Sequence, residues 1–296
     1  MVGTKSIPLS EVLKMDETQL LVFTVSRIPR TLSLILTGVG LSVAGFIMQQ
    51  IAQNKFVSPT TAGSLDAAKL GILMGILWLP DISLFGKITF SLVFSFVCSL
   101  IFILLAKRIK FKDIILVPLL GIMFGNVLNA IATFFAVKHN IVQNMQGWMM
   151  GDFSSVLQGQ YESIYLIVPV VIVAYLFAYQ FTMIGMGESF SKNLGLNYNT
   201  YLYIGLIVVA LTVSASVVTV GAIPFLGLVI PNLVRIYKGD HLKKNLVYIA
   251  LYGALFLLVS DILGRVVIAP YEIPIGLMVG IIGGVIFFFL LIRRER

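Results

Sequence analysis

Tyr201-Leu-Tyr-Ile-Gly-Leu-Ile-Val-Val-Ala-Leu-Thr-Val-Ser-Ala-Ser-Val-Val-Thr-Val220, followed at once by Gly221-Ala-Ile-Pro-Phe-Leu-Gly-Leu-Val-Ile-Pro231, decides the architecture. The first run carries no charge and is as long as an α-helix must be to cross a hydrocarbon core of ~30 Å. The second run differs. Pro224–Ile236 would cover only ~20 Å at ~1.5 Å per residue, and Pro231 interrupts it. It reads as a short, broken crossing packed against other helices, because backbone groups freed at that depth need protein or water partners.

Working outward, seven more spans fall at Thr31–Ile51, Pro59–Leu79, Ile82–Ala106, Ile114–Val137, Ile164–Phe181, Leu246–Leu263 and Ile275–Ile292. The whole chain of 296 residues is 58% hydrophobic and 11% charged, against about 25% charged in a soluble domain. Lipid is therefore the main solvent, and the fold class is all-α: one polytopic transmembrane bundle over residues 1–296. The 21 Lys and Arg exceed the 13 Asp and Glu by 8, but the excess gathers in short clusters between apolar segments. That is a topology signal and not a nucleic-acid footprint. Cys98 is the single cysteine, so no disulfide framework exists within the chain.

Lys107, Arg108, Lys110 and Lys112 fall in one loop and Arg235, Lys238, Lys243 and Lys244 in another; both are expected to be cytoplasmic, as is the Arg293, Arg294, Arg296 tail. Nine crossings then put residues 1–26, with Glu11, Asp16 and Glu17, outside. No signal peptide is recognisable at Met1, so a further apolar helix ahead of Met1 is expected. Thr37-Gly38 through Pro59 and Thr219-Gly221 through Pro231 share a pattern of helix, small residues, then proline-bearing re-entry. Under this topology they run in opposite directions, as in transporters built from inverted repeats.

Few polar groups interrupt the apolar spans. Arg27-Ile-Pro-Arg30 precedes the first span and reads either as an interfacial anchor or as a docking contact for an acidic partner. Arg265 follows Asp261 by four residues, the spacing of an intrahelical ion pair. Asp66 and Lys69 lie inside the second span and are expected to pair, while Asn126 and Asn129 in the fourth suit interhelical hydrogen bonds. Gly185-Met-Gly-Glu-Ser-Phe-Ser-Lys-Asn-Leu-Gly195 reads as a cytoplasmic loop holding a short helix ended by Gly195. There is no Gly-x-x-x-x-Gly-Lys-Ser/Thr phosphate loop. His139 and His241 lie apart, Glu162, Glu188 and Glu272 are scattered, and the 11 methionines suit pliable packing. No catalytic or metal-ligating constellation stands out.

Arg27-Ile-Pro-Arg30, Gly45-Phe-Ile-Met-Gln-Gln50, Asn54-Lys-Phe-Val-Ser-Pro59, Gly221-Ala-Ile-Pro-Phe-Leu-Gly-Leu-Val-Ile-Pro231 and Asp261-Ile-Leu-Gly-Arg265 occur in order. As a set the chain resembles the FecCD/BtuC-type permeases for iron-siderophores and cobalamin, from about Ile7 to Arg294. The resemblance implies ten helices per subunit, with the first absent here. It also implies a second permease subunit, two cytoplasmic ATPase subunits that hold ATP and Mg, an extracytoplasmic siderophore-binding protein, a bacterial cytoplasmic membrane, and no cofactor or catalysis in this chain.

By the same resemblance, Arg27 and Arg265 match the arginines that pair with glutamates on the binding protein. Gly187, Glu188 and Gly195 fall on the loop that couples to the ATPase, within residues 182–200, and Asn54 and Phe56 fall where the pathway narrows at its cytoplasmic end. Two departures stand out. Lys55 and Phe56 replace the usual Pro-Leu after Asn54, and Asn232 replaces the histidine that usually follows Pro231. This variant is similar to the subgroup for catecholate siderophores of the petrobactin and vibriobactin types. Competing readings are a cobalamin or haem permease of the same family, an ion-coupled secondary transporter, for which Asp66 is the best acid, and an integral membrane enzyme.

Overall fold

The computed structural model describes residues 16–108, 115–239, 242–268 and 270–294. Glu11, Lys110, Lys112, His241 and Arg296 lie outside the described residues, as do the side chains of Lys243, Lys244, Arg293 and Arg294. The chain runs through α1 (Glu17–Val22), α2 (Ile28–Ile51), α3 (Ser64–Trp78), α4 (Leu84–Arg108), α5 (Leu116–Lys138), α6 (Val142–Trp148) and α7 (Ile167–Leu176). It continues through α8 (Ala178–Gly185), α9 (Glu188–Asn193), α10 (Tyr198–Val220), α11 (Leu226–Lys238), α12 (Leu242–Val266) and α13 (Ile275–Arg294), with no strand among the described residues.

Helices long and apolar enough to span a membrane are Glu17–Ile51, Leu84–Arg108, Leu116–Lys138, Tyr198–Val220 and Asn245–Val266. Glu162–Leu176 with Ala178–Gly185 would be a sixth span, bent by 65° at Phe177. The expected run Ile164–Phe181 is therefore two helices meeting at a sharp bend, which its uniformly apolar sequence does not announce. The expected span Pro59–Leu79 also shortens. Its first residues form a turn in which the Ser58 backbone amide and hydroxyl engage Thr61, so α3 starts only at Ser64. Its 15 residues reach ~22 Å. α11 has the 13 residues anticipated around Pro231, but it runs Leu226–Lys238 as one helix: Pro231 lies inside it, near its first turn and a half, and does not interrupt it.

The first span starts earlier than expected. The Asp16 carboxylate accepts from the Glu17 amide, and Gln19 reaches back to the Asp16 amide in a capping box. The helix then runs through a π-helical turn, Phe23–Arg27, into α2. Residues 17–26, assigned to an external segment, are thus largely the first turns of this helix.

α2 is the axis of the bundle, in contact with α7, α8, α10, α11 and α12. Two close crossings make that possible. A methyl group on Gly38 would meet the Gly253 carbonyl oxygen of α12 at 2.5 Å, and one on Gly45 would meet the Gly227 oxygen of α11 at 2.0 Å. Without a hydrophobic drive between helices in lipid, such backbone proximity maximises dispersion contact. The α2–α11 crossing joins the two segments whose sequences repeat.

Candidate functional site

Two polar clusters lie at opposite ends of this axis. At the start of α2, Arg30 donates from Nε and Nη2 to Asp261 Oδ1 at 3.1 and 2.6 Å and from Nη1 to Glu272 Oε2 at 2.7 Å. Arg265 Nη2 holds the other Asp261 oxygen at 2.5 Å, which is the four-residue pair expected from the sequence. Asp261, only 4% exposed, is thereby clamped between guanidiniums from two helices. Buried carboxylates persist when paired in this way. Arg27 closes the π-helical turn three residues ahead of Arg30 on the same continuous helix. Asp261 and Arg30 therefore tie Arg265 to the start of α2, the end of the helix that carries Arg27.

Within this group the charges of Arg30 and Arg265 balance those of Asp261 and Glu272. Sequence reasoning missed Arg30 and Glu272 as partners. Their only signals were the repeat of Arg after three residues and an acid just before Pro274, too generic to join residues 242 positions apart.

At the other end, Gly187 has φ +109° and opens α9. Gly195, at φ +77°, sits in the left-handed position that ends helices. The Gly195 amide donates to Lys192 O at 2.9 Å and the Leu196 amide to Ser191 O at 3.0 Å, a Schellman closure. Glu188 pairs with Lys192 at 2.8 Å and with Lys107, at the end of α4, at 3.6 Å. The hydrogen bond from Lys192, helped by the nearby Lys107 charge, holds the Glu188 carboxyl below the ordinary range against a smaller opposing effect of desolvation. Lys107 also stands 4.9 Å above the Tyr198 ring. Gly187, Glu188 and Gly195 thus form one compact unit fastened to α4, and Gly185 lies flush on Gln50, near the end of α2.

From Gln50 the chain leads to Asn54 and Phe56. Asn54 is buried, and its side-chain oxygen accepts from the Phe56 amide at 2.9 Å. The Asn232 amide group of α11 donates to the Lys55 carbonyl at 2.9 Å and to the Leu228 carbonyl at 2.8 Å. The Phe56 ring packs edge-on against Phe287 of α13, with centroids 5.9 Å apart. Phe225, just before α11, approaches the same Phe287 ring at 6.4 Å.

Inside the bundle, Lys69 lies 3.6 Å from Asp66 and donates to Asn129 of α5. The expected pair forms and recruits one of the two asparagines. An Asp66 committed to this ammonium is poorly placed as a free ion-coupling acid.

The described residues thus form an all-helical, polytopic bundle around α2, with one sharply bent helix pair and a polar cluster at each end of that axis. The family model described as the FecCD transport family matches residues 1–293. The chain belongs to that family. It is 53% identical over 270 residues to the petrobactin import system permease protein of Bacillus subtilis (strain 168), covering 91% of this chain and 85% of that one. It is 47% identical over 294 residues to the ferric-anguibactin transport system permease protein of Vibrio anguillarum, covering 99% and 94%. A solved inward-facing conformation of a putative metal-chelate type ABC transporter has the same fold, with a TM-score of 0.81 over 99% of this chain and 94% of that chain at 23% identity.

Proposed function

We propose that this chain is the membrane-spanning permease of a bacterial ATP-driven importer that carries ferric siderophores into the cytoplasm. The observation that carries the reading is similarity along nearly the whole chain to permeases named for petrobactin and ferric-anguibactin. These names favour a ferric siderophore over cobalamin or haem. The permease supplies no chemistry and holds no cofactor. Its work is to offer a wide, weakly binding path, since a site that gripped the cargo would trap it.

In this reading residues 1–296 form one permease domain that pairs with a second permease subunit and rests on two ATPase subunits, where ATP and Mg are bound. Arg27 and Arg265, by their match to the family's docking arginines, are assigned to contact acidic side chains on an external siderophore-binding protein, for which a guanidinium is suited. The unit of Gly187, Glu188 and Gly195, in the loop 182–200, is stiff enough to pass a push from the ATPase to the ends of α2 and α4. Asn54 and Phe56 narrow the cytoplasmic end of the path.

The test is uptake of radio-iron-loaded petrobactin and anguibactin by cells deleted for this gene, with and without the gene restored. Restored uptake that stops on ATP depletion supports the reading. Uptake that survives ATP depletion but collapses with the ion gradient points to a secondary transporter, and restored cyanocobalamin uptake in place of both iron chelates overturns the cargo.

A further inference from the structure

We propose that Phe225 and Phe287 complete, with Phe56, a ring of aromatic side chains that bars the transport path at its cytoplasmic side; the proposal deepens the transport reading and rests on it. The three rings come from three separate elements: the α2–α3 connection, the residue before α11, and α13. Phe287 is shared, in contact with both others. Each ring is half-buried, so none is consumed in the core.

Phe225 adopts φ +60°, a left-handed conformation that a bulky aromatic rarely takes. Such outliers persist only where their surroundings over-determine them, and they cluster at functional positions. Here the backbone fixes it: Leu226 N donates to Pro224 O at 2.7 Å, while Leu228 N and Val229 N both donate to Phe225 O, at 2.9 and 2.8 Å. The turn presses the Phe225 side chain onto α13, where a methyl group at Gly283 would meet its Cβ at 2.8 Å. A glycine at Phe225 would satisfy the same turn without strain, so the ring itself is what the strained backbone presents.

The wall changes character along α13. A methyl group on Gly284, one turn before Phe287, would meet nothing within 4 Å, and one on Gly280 would meet only Pro224, at 3.8 Å. The helix therefore offers open, side-chain-free surface up to the point where Phe287 closes it. An apolar constriction below a wider space excludes hydrated, charged solutes by dewetting, and an iron chelate rich in oxygen and charge is such a solute.

The experiment measures release of calcein, a polyanionic dye, from liposomes holding the full chain with its ATPase partner and no ATP. The variants are Phe225→Gly, Phe287→Ala and their combination, with the neighbouring Phe288→Ala as control because that ring is 62% exposed and makes no contact with Phe56 or Phe225 among the ring pairs of the described residues. The combined variant is expected to release dye about tenfold faster than wild type, the effect of roughly 1.4 kcal/mol on a barrier, and the control at the wild-type rate. Wild-type release from Phe225→Gly, a substitution the backbone accepts, overturns the barrier even if Phe287→Ala fails to assemble. ATP-driven uptake of ferric petrobactin by the wild type is read in parallel. Fast leak without any uptake sinks the transport reading and keeps the barrier; normal uptake with unchanged leak sinks the barrier alone.

Discussion

Asn232 of α11 donates its side-chain amide to the backbone carbonyl of Lys55 at 2.9 Å. The two positions that depart from the usual family pattern, proline after asparagine and histidine after proline, therefore touch each other. The same amide also binds the Leu228 carbonyl, so one side chain ties α11 to the connection between α2 and α3. Asn232→Ala removes both bonds and is expected to cost about 1 kcal/mol. The measurement is the melting temperature of the purified permease, which should fall by a few degrees; an unchanged value sinks the assignment.

Arg30 bridges Asp261 and Glu272, and without it Arg265 alone faces two carboxylates. Removing one partner of a buried pair leaves an uncompensated charge, at about 3–5 kcal/mol. Arg30→Met should therefore yield little folded protein on size-exclusion chromatography. Arg30→Met combined with Asp261→Asn should recover part of the yield, and no recovery would show that Arg30 acts otherwise.

Arg27→Glu should weaken capture of the external binding protein. Arg265→Glu should weaken capture and also harm the fold, because it sets a second carboxylate against Asp261. Binding-protein affinity measured across salt concentrations separates the two. A salt slope unchanged in Arg27→Glu contradicts the docking role.

Glu188 has its pKa lowered by Lys192 and Lys107. A carboxyl whose folded value lies below its unfolded value of about 4.3 adds stability that is fully present above that value and lost as pH falls through the folded value. Coupling of ATP hydrolysis to transport should accordingly show no Glu188 titration between about pH 6 and 8, whereas Glu188→Gln should reduce coupling at every pH in that window. ATPase rates with and without cargo provide the readout, and coupling in Glu188→Gln equal to wild type removes the role.

Gly45→Leu should abolish assembly, since even a methyl there would sit 2.0 Å from the Gly227 oxygen, beyond what the ordinary ~1–3 kcal/mol of overpacking describes. Membrane expression levels check it. Gly284→Ala, which would meet nothing within 4 Å, should express normally.

Apolar runs made the bundle legible, because lipid demands length and hydrophobicity from every crossing. The same uniformity hid the break at Phe177 and the turn before Ser64, where hydrogen bonding and backbone geometry act without a change in hydropathy. The pairs four or three residues apart, Asp261 with Arg265 and Asp66 with Lys69, could be read from helical spacing. Arg30 with Glu272, Lys107 with Glu188, and Asn232 with Lys55 could not, because each joins elements far apart in the chain. Phe225 looked like an ordinary apolar residue in a motif; only its backbone angle distinguishes it.

The contact between Gly45 and Gly227 is backbone against backbone, so no change of rotamer there can relax the spacing of α2 and α11. Asn232 lies five residues to one side of it along α11, about 7.5 Å, and Phe225 two residues to the other. One glycine crossing therefore sets the position both of the bond to Lys55 and of the ring against Phe287.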